Sequence, residues 1–420
     1  MKKILLILTV CLLIACEQNE QIKVKPAQLT DYKVSPINGG ATITYTLPPE
    51  SDILYVVAEY KRDGEIFTER SSFYNNSITI EGFNVTTPID AILYTVNREE
   101  MKSDPIQIVF EPLESPLSLA FKTLDVSTGF GGIVVSWENL NSTELGVRLM
   151  VKENDEIKNK DMFFSSFEKE NHTFRGFESE ETTFAVSIED KWGNVSDTIF
   201  YTTTPFFETE VPKPFGDMRQ TIPFDITTQN PTFNWPRLFN NIVGDDSWLT
   251  TTPTAANPQL CAFTIDLKQV YKLSRMTIWP RMRPNNHNDV YAVNNVLSFE
   301  MWGTTEIDPA RLSDRAYWLD EHQDWNTFNP GLEIPDYTFK DDWVYLGYYE
   351  VERLDLKGAT PTDIMNRALQ GEPLDIPIDV GPVRYIRFFP RSTDKGSPTP
   401  GAIFQIAELS FFGDNTVNQE

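Results

Sequence analysis

Alternation of apolar and polar residues is the strongest signal in the chain. Within Cys261 to Met282, Phe263, Ile265 and Leu267 form one period-2 run, and Leu273, Met276 and Ile278 form another, with a polar break at Lys268-Gln269. This pattern predicts two half-buried strands joined by a short connection. The second run leaves through Trp279, Pro280 and Arg281 into the polar loop Arg283-Pro284-Asn285-Asn286-His287. A β-scaffold that presents polar and aromatic groups at one end is the expectation.

Shorter pieces of the same period fill the stretch from Leu29 to Leu113. Strands are expected over Ala41 to Leu47, Leu54 to Tyr60, around Ile78 to Ile80, and over Ala91 to Val96. Asp63-Gly64, between two alternating runs, is a hairpin signal because both residues tolerate the positive φ of the turn. This pattern then repeats. Val34-Ser35 and Gly39 to Tyr45 align with Val126-Ser127 and Gly131 to Trp137 at a constant offset of 92. Glu81-Gly82-Phe83 corresponds to Arg175-Gly176-Phe177, and Ala91 to Val96 to Phe184 to Ile188. Two copies of one β-module follow. Their size, the paired glycines before a strand, and Tyr45 or Trp137 as a buried-type aromatic resemble immunoglobulin or fibronectin type III sandwiches.

Proline marks the boundaries. Glu111-Pro112 to Ser115-Pro116 reads as a stiff junction, and Pro205, Pro212 and Pro214 as a linker. At the N-terminus, Lys2 and Lys3 precede an apolar run, Ile4 to Ile14, that is too short to span a bilayer. It ends in Leu13-Ile14-Ala15-Cys16, which matches the bacterial lipobox and makes Cys16 the expected lipid-bearing residue. The alternative is an ordinary secretory signal with an incidental Cys16. The expected organisation is a signal peptide (1–15), a tether (16–28), two sandwich modules (29–113 and 114–204), a linker (205–214), a larger third unit (215–414) and a tail (415–420). The fold class expected is all-β.

Charge narrows the possible partners. The chain of 420 residues carries a formal charge of −25, and removing residues 1–15 leaves 34 basic against 61 acidic residues, or −27. Such an excess argues against nucleic acid as a partner and against lying flat on an anionic membrane. Of the three cysteines only Cys261 would remain as a free thiol, so neither a disulfide framework nor a cysteine metal site is available. Catalysis finds no support either. His172, His287 and His322 are scattered without metal-ligand spacing. No Gly-x-Ser-x-Gly elbow, Walker loop or dinucleotide fingerprint occurs.

The third unit has a recognisable order of motifs. Leu238 to Trp248 (LFNNIVGDDSW) precedes the two opening strands; LSFEMWG at Leu297 to Gly303, RYIRFF at Arg384 to Phe389 and IAELSFFG at Ile406 to Gly413 follow. This resembles the discoidin or coagulation-factor type C domain, a jelly-roll sandwich that includes family 32 carbohydrate-binding modules. The resemblance implies a structural Ca²⁺ in the loop at Gly244, Asp245, Ser247 and Trp248, completed by Glu408. Val243 departs from the pattern where an Asp is usual. A solvated turn, with Asp245 capping backbone amides, is the alternative. The resemblance also implies a sugar site among the loops at one end, with Arg281, Arg283, Asn286 and His287 after the second strand, Trp235 and Asn240 before the first, and Phe404 in the last loop. Against it stands the reading that the aromatics are core and the arginines pair with surface acids. Arg281, Arg283, Arg387 and Arg391 are candidates for a local site for uronic or sialic acids. Trp318 and Trp325, in the long insert Asp308 to Pro335, are candidates for a second aromatic surface, and Asp363 to Gln370 for a short helix ending at Gly371.

The whole order, with acidic residues after Cys16, resembles Bacteroidetes surface lipoproteins encoded near starch-utilisation-type outer-membrane systems. It implies a non-catalytic glycan-binding protein of the outer-membrane surface, anchored by lipid and serving polysaccharide capture beside an uptake complex. The rival expectation is a structural or protein-interaction component, an adhesin or scaffold.

Overall fold

The computed structural model describes residues 24–49, 52–228, 231–250, 260–319, 338–395 and 403–416. The signal peptide, Cys16, His322 and Trp325 lie outside the described residues. The chain is nearly all-β. Its compact units are Met1–Ser127 with Val134–Phe174 and Thr182–Thr203, and Thr128–Ile133 with Arg175–Glu181 and Thr204–Glu420.

The first module has strands β1 (Asp31–Ile37), β2 (Gly40–Thr46), β3 (Ile53–Arg62), β4 (Glu65–Ser72), β5 (Ser77–Glu81), β6 (Ile89–Asn97) and β7 (Ile106–Phe110). They form a three-stranded sheet, β1-β2-β5, and a four-stranded sheet, β4-β3-β6-β7. Period-2 alternation puts Ala41, Ile43 and Tyr45 of β2 into the core with Val56, Ala58 and Tyr60 of β3. Asp63 and Gly64 both have positive φ (52° and 87°), as a two-residue turn between β3 and β4 requires.

A short helix, α1 (Pro116–Lys122), opens the second module; Ser115 caps it, accepting from the Ser118 amide. Then come β8 (Asp125–Gly129), β9 (Gly132–Glu138), β10 (Leu145–Glu153), β11 (Glu156–Ser165), β12 (Lys169–Phe174), β13 (Thr182–Asp190) and β14 (Ile199–Thr203). The sheets are β8-β9-β12 and β11-β10-β13-β14, the first module's order with every strand advanced by seven. Trp137 occupies the place of Tyr45, and both are buried.

The C-terminal part adds β15 (Thr209–Glu210), β16 (Gly216–Asp217), β17 (Trp248–Leu249), β18 (Phe263–Trp279), β19 (Val296–Thr304), β20 (Val344–Glu350), helix α2 (Pro361–Gln370), β21 (Glu372–Asp375), β22 (Val383–Thr393), β23 (Gln405–Ile406) and β24 (Glu408–Asp414). Here one expectation needs correcting. The two runs of Cys261 to Met282 are a single 17-residue strand, β18, bent where Lys268 adopts φ +70° and its amide bonds the Asp266 carboxylate at 2.7 Å. Its first half pairs with β22, which continues to β19 and β20; its second half pairs with β24 and β21. One strand thus serves both groups, and the core of Phe263, Phe299, Phe388, Met276 and Phe411 lies along it. A second cluster brings Trp318, Phe339, Trp343 and Phe389 together. Trp318 is fully buried, so it is core and offers no second aromatic surface.

The segment read as a linker is also built in. Thr209 and Glu210 pair with Gly413 and Phe412, and Val211 is fully buried. Helix α2 begins at Pro361 with a capping box between Thr360 and Asp363 and stops at Gly371.

Candidate functional site

The loop end is made by the connection from β18 to β19 and the loop before β17. The Met282 amide donates to the Gly244 carbonyl at 2.8 Å and so joins the two. Two buried polar residues shape the connection. Asp289, 3% exposed, accepts from the Arg283 amide (3.0 Å), Nε (2.7 Å) and Nη2 (2.7 Å), and from Asn286 Nδ2 (2.9 Å). Asn295, also buried, accepts from the Arg281 amide at 2.8 Å and reaches the carbonyls of Arg281, Asp289 and Val290 with Nδ2. Beneath them Met282, Val290 and Tyr291 pack on Ile364 and Ala368 of α2. A polar loop is thereby held in one geometry, since buried polar groups are costly unless bonded.

Charges at this end cancel. Arg281 Nη2 lies 2.6 Å from the Asp245 carboxylate, Arg283 is forked on Asp289, and Arg237 pairs with Asp246, which also accepts from Asn240 Nδ2 at 2.7 Å. Hydrogen bonding from Arg283 holds the Asp289 carboxyl below its usual range, against the opposing effect of burial. The arrangement offers oriented donors and acceptors rather than net charge.

Arg281, Arg283 and Asn286 converge on Asp289, and Arg281 also ties Asp245 to them; His287 opens the short turn His287–Asp289 that follows. Other expectations need correcting. Trp235 is buried edge-on against Phe239, Trp248 and Phe263, with the Arg219 guanidinium 4.6 Å from its ring centre. Phe404 is fully enclosed beside Trp248 and Phe263. Neither ring can meet a ligand. Asn240 is turned to Asp246 rather than outward. Arg387 is fully buried on Asp225, and Arg391 is bound to Glu300 at 2.6 Å, so neither joins a shared anionic site.

The residues expected to hold calcium do not fit one. Asp245 is engaged by Arg281, and Ser247 is buried with its hydroxyl 3.3 Å from Gln405. Glu408 takes the Lys213 ammonium on Oε1 and two backbone amides on Oε2. Burial pushes its carboxyl above the usual range, although Lys213 opposes this. A hard cation would have to share these carboxylates with the ammonium, guanidinium and N–H donors they already bear. Among the described residues no group of three or more His, Cys, Asp or Glu could hold a metal.

One aromatic surface escaped sequence reasoning. Tyr345 and Tyr348 of β20 are each about half exposed (47% and 49%), with Trp302 of β19 4.9 Å from the Tyr345 ring. The Glu300–Arg391 pair adjoins them, because Tyr348 lies opposite Glu300 in the register. Tyr345 and Tyr348 are three residues apart and share the outward face only because the register slips beside Leu346, which alternation in VYLGYYE alone would not reveal. A cavity near the loop end, lined by Trp279, Tyr291, Arg367 and Gln405, has about 20 Å³, room for a water and not for a sugar.

Three family models match in succession: DUF4959 over residues 26–112, DUF5126 over 113–214 and DUF5000 over 239–413, each described as a domain of unknown function. No curated protein matches the chain. Among solved structures, a SusE-like protein, BT2857, is similar over 70% of this chain and 97% of its own, at 23% identity and a TM-score of 0.37. A two fibronectin type III domain segment from chicken tenascin is similar over 42% of this chain and 99% of its own, at 16% identity and a TM-score of 0.21. The chicken interferon gamma receptor alpha chain is similar over 43% and 98%, at 14% identity and a TM-score of 0.20. None of these descriptions names a catalytic family.

Proposed function

We propose that this protein is a non-catalytic glycan-binding lipoprotein of the outer-membrane surface, with the ligand held at the loop end of its C-terminal, discoidin-like domain. The observation that carries the reading is the polar loop Arg281 to His287, fixed from below by buried Asp289 and Asn295. Sugar hydroxyls need donors and acceptors in set directions, and a loop ordered before binding loses little entropy when the ligand arrives. Three arginines balanced by three aspartates favour a neutral glycan. A uronic or sialic carboxylate would first have to displace an aspartate from its guanidinium. Lipid on Cys16 supplies the membrane link; among the described residues no helix is long and apolar enough to cross a membrane. Polysaccharide captured in this way would pass to an outer-membrane uptake complex.

Affinity electrophoresis of residues 17–420 in gels containing neutral (xylan, galactomannan) and acidic (pectin) polysaccharides tests the reading. Retardation on a neutral gel, lost in Arg283→Ala and His287→Ala but kept in Tyr345→Ala, is the expected result. Free migration in every gel would refute glycan binding. Loss only in Tyr345→Ala would move the ligand to the β20 face. A second reading, docking of a protein partner, is favoured by a groove of about 460 Å³ on the first module, where Ile66, Ile89 and Ile92 lie beside Glu59, Lys61 and Asp90.

A further inference from the structure

Glu408 opens β24 with a side chain only 2% exposed, at the base of the loop that leads to Trp248. Both of its oxygens are engaged. Oε1 accepts from Lys213 Nζ at 2.5 Å, and Oε2 accepts from the amides of Asn240 (3.0 Å) and Asn241 (2.9 Å). Lys213, itself 9% exposed, also donates to Asn241 Oδ1 at 2.9 Å and lies 3.6 Å from Glu210 Oε1. Two carboxylates and an amide oxygen around one positive centre is the donor set of a hard cation, yet the centre here is an ammonium.

We infer that Lys213 is the resident structural cation of this domain, holding the loop before β17 as a bound divalent ion would and making the fold independent of metal. The ammonium joins three segments distant in sequence: the chain at Glu210 to Lys213, the loop at Asn240 and Asn241, and β24. Asn241 adopts φ +60°, a left-handed turn conformation that asparagine accepts, and its amide and side chain are both bonded to this pair. That turn leads to Asp245, the partner of Arg281, so Lys213 is a positioning residue for the loop end. A divalent ion at Glu408 would have to share its carboxylate with the ammonium and two N–H groups. The acids that would complete its shell, Asp245 and Asp246, are held by Arg281 and Arg237.

Thermal unfolding of residues 17–420 in CaCl₂ and in excess EDTA, with calorimetric titration of Ca²⁺, tests the inference without reference to any glycan. The wild-type midpoint is expected to be the same in both, with no binding heat. Lys213→Met should lower the midpoint of the C-terminal transition by roughly 6–12 °C, because a buried carboxylate loses its partner. Lys213→Met in a Glu408→Gln background should cost much less. A wild-type midpoint raised by Ca²⁺, or a titration showing a bound ion, would overturn the inference even if Lys213→Met failed to fold. So would a Lys213→Met midpoint equal to wild type.

Discussion

Arg387 offers the sharpest test of the C-terminal packing. Its guanidinium, carried by β22, is fully buried, with Nη1 2.7 Å from Asp225 Oδ1 and 2.7 Å from Thr264 Oγ1. Trp318, Phe389 and Phe339 surround it, their ring centres 4.7, 5.1 and 5.4 Å away. Burial pushes the Asp225 carboxyl upward, and Arg387 is the principal group opposing that push. In Arg387→Met the carboxylate would stand alone in an apolar site, and the folded protein would protonate it rather than keep the charge. Protonating at pH 7 a group with an unfolded pKa near 3.9 costs about 4 kcal/mol, within the roughly 3–5 kcal/mol seen when one partner of a buried pair is removed.

The sign of the pH dependence follows. With a folded pKa above the unfolded one, Asp225 in the variant loses stability as pH rises above about 3.9, so the deficit shrinks on acidification, to about 1.5 kcal/mol at pH 5. Urea unfolding followed by tryptophan fluorescence reads both values. Arg387→Met should lower the midpoint by roughly 1–2 M at pH 7 and by less than half of that at pH 5. Arg387→Met/Asp225→Asn should recover most of the loss and show a deficit nearly flat with pH. A deficit below about 0.5 kcal/mol at pH 7, or one equal at both pH values, would refute the argument and leave Arg387 as packing only.

Two smaller predictions concern other parts of the chain. A Cβ at Gly40 would lie 1.9 Å from the Ile80 carbonyl oxygen, so Gly40→Ala must separate β2 from β5. Hydrogen exchange should then show lost protection in the first module while the C-terminal strands keep theirs. At the loop end, the folded pKa of Asp289 is depressed, so its contribution to stability is present above about pH 4 and fades as pH falls below the unfolded value. The stability gap between wild type and Asp289→Asn, taken from urea midpoints across pH 2–7, should therefore close in acid; a gap constant to about pH 2 would contradict the assigned pairing.

Local pattern made much of the scaffold legible. The offset of 92, Asp63-Gly64, the helix ending at Gly371 and the alternation of β18 are short-range features, and each corresponds to an element in the structure. What escaped depends on distant partners. Lys213 sits in a proline-rich stretch whose composition reads as linker, and nothing near it announces Glu408, 195 residues away. Trp235 was legible in principle. In WPRLF the apolar positions 235, 238 and 239 share one face of a short turn, and all three are buried; that spacing argues for core where aromatic type alone suggested a sugar platform.

Charge balance misleads in a related way. An excess of 61 acids over 36 basic residues suggests that any arginine cluster could serve as a rare anion site. The same excess makes it easy for each arginine to find a carboxylate. Arg281, Arg283, Arg387 and Arg391 are all paired, with Asp245, Asp289, Asp225 and Glu300. An acidic chain that pairs its arginines internally uses them as fixed hydrogen-bonding frames rather than as free positive charge. At the loop end such a frame discriminates by the direction of its donors and acceptors. Salt therefore distinguishes the two kinds of site. Ligand affinity at a direction-reading frame should change little between about 0.05 and 0.5 M NaCl, whereas an anion site of free arginines would weaken steeply over the same range.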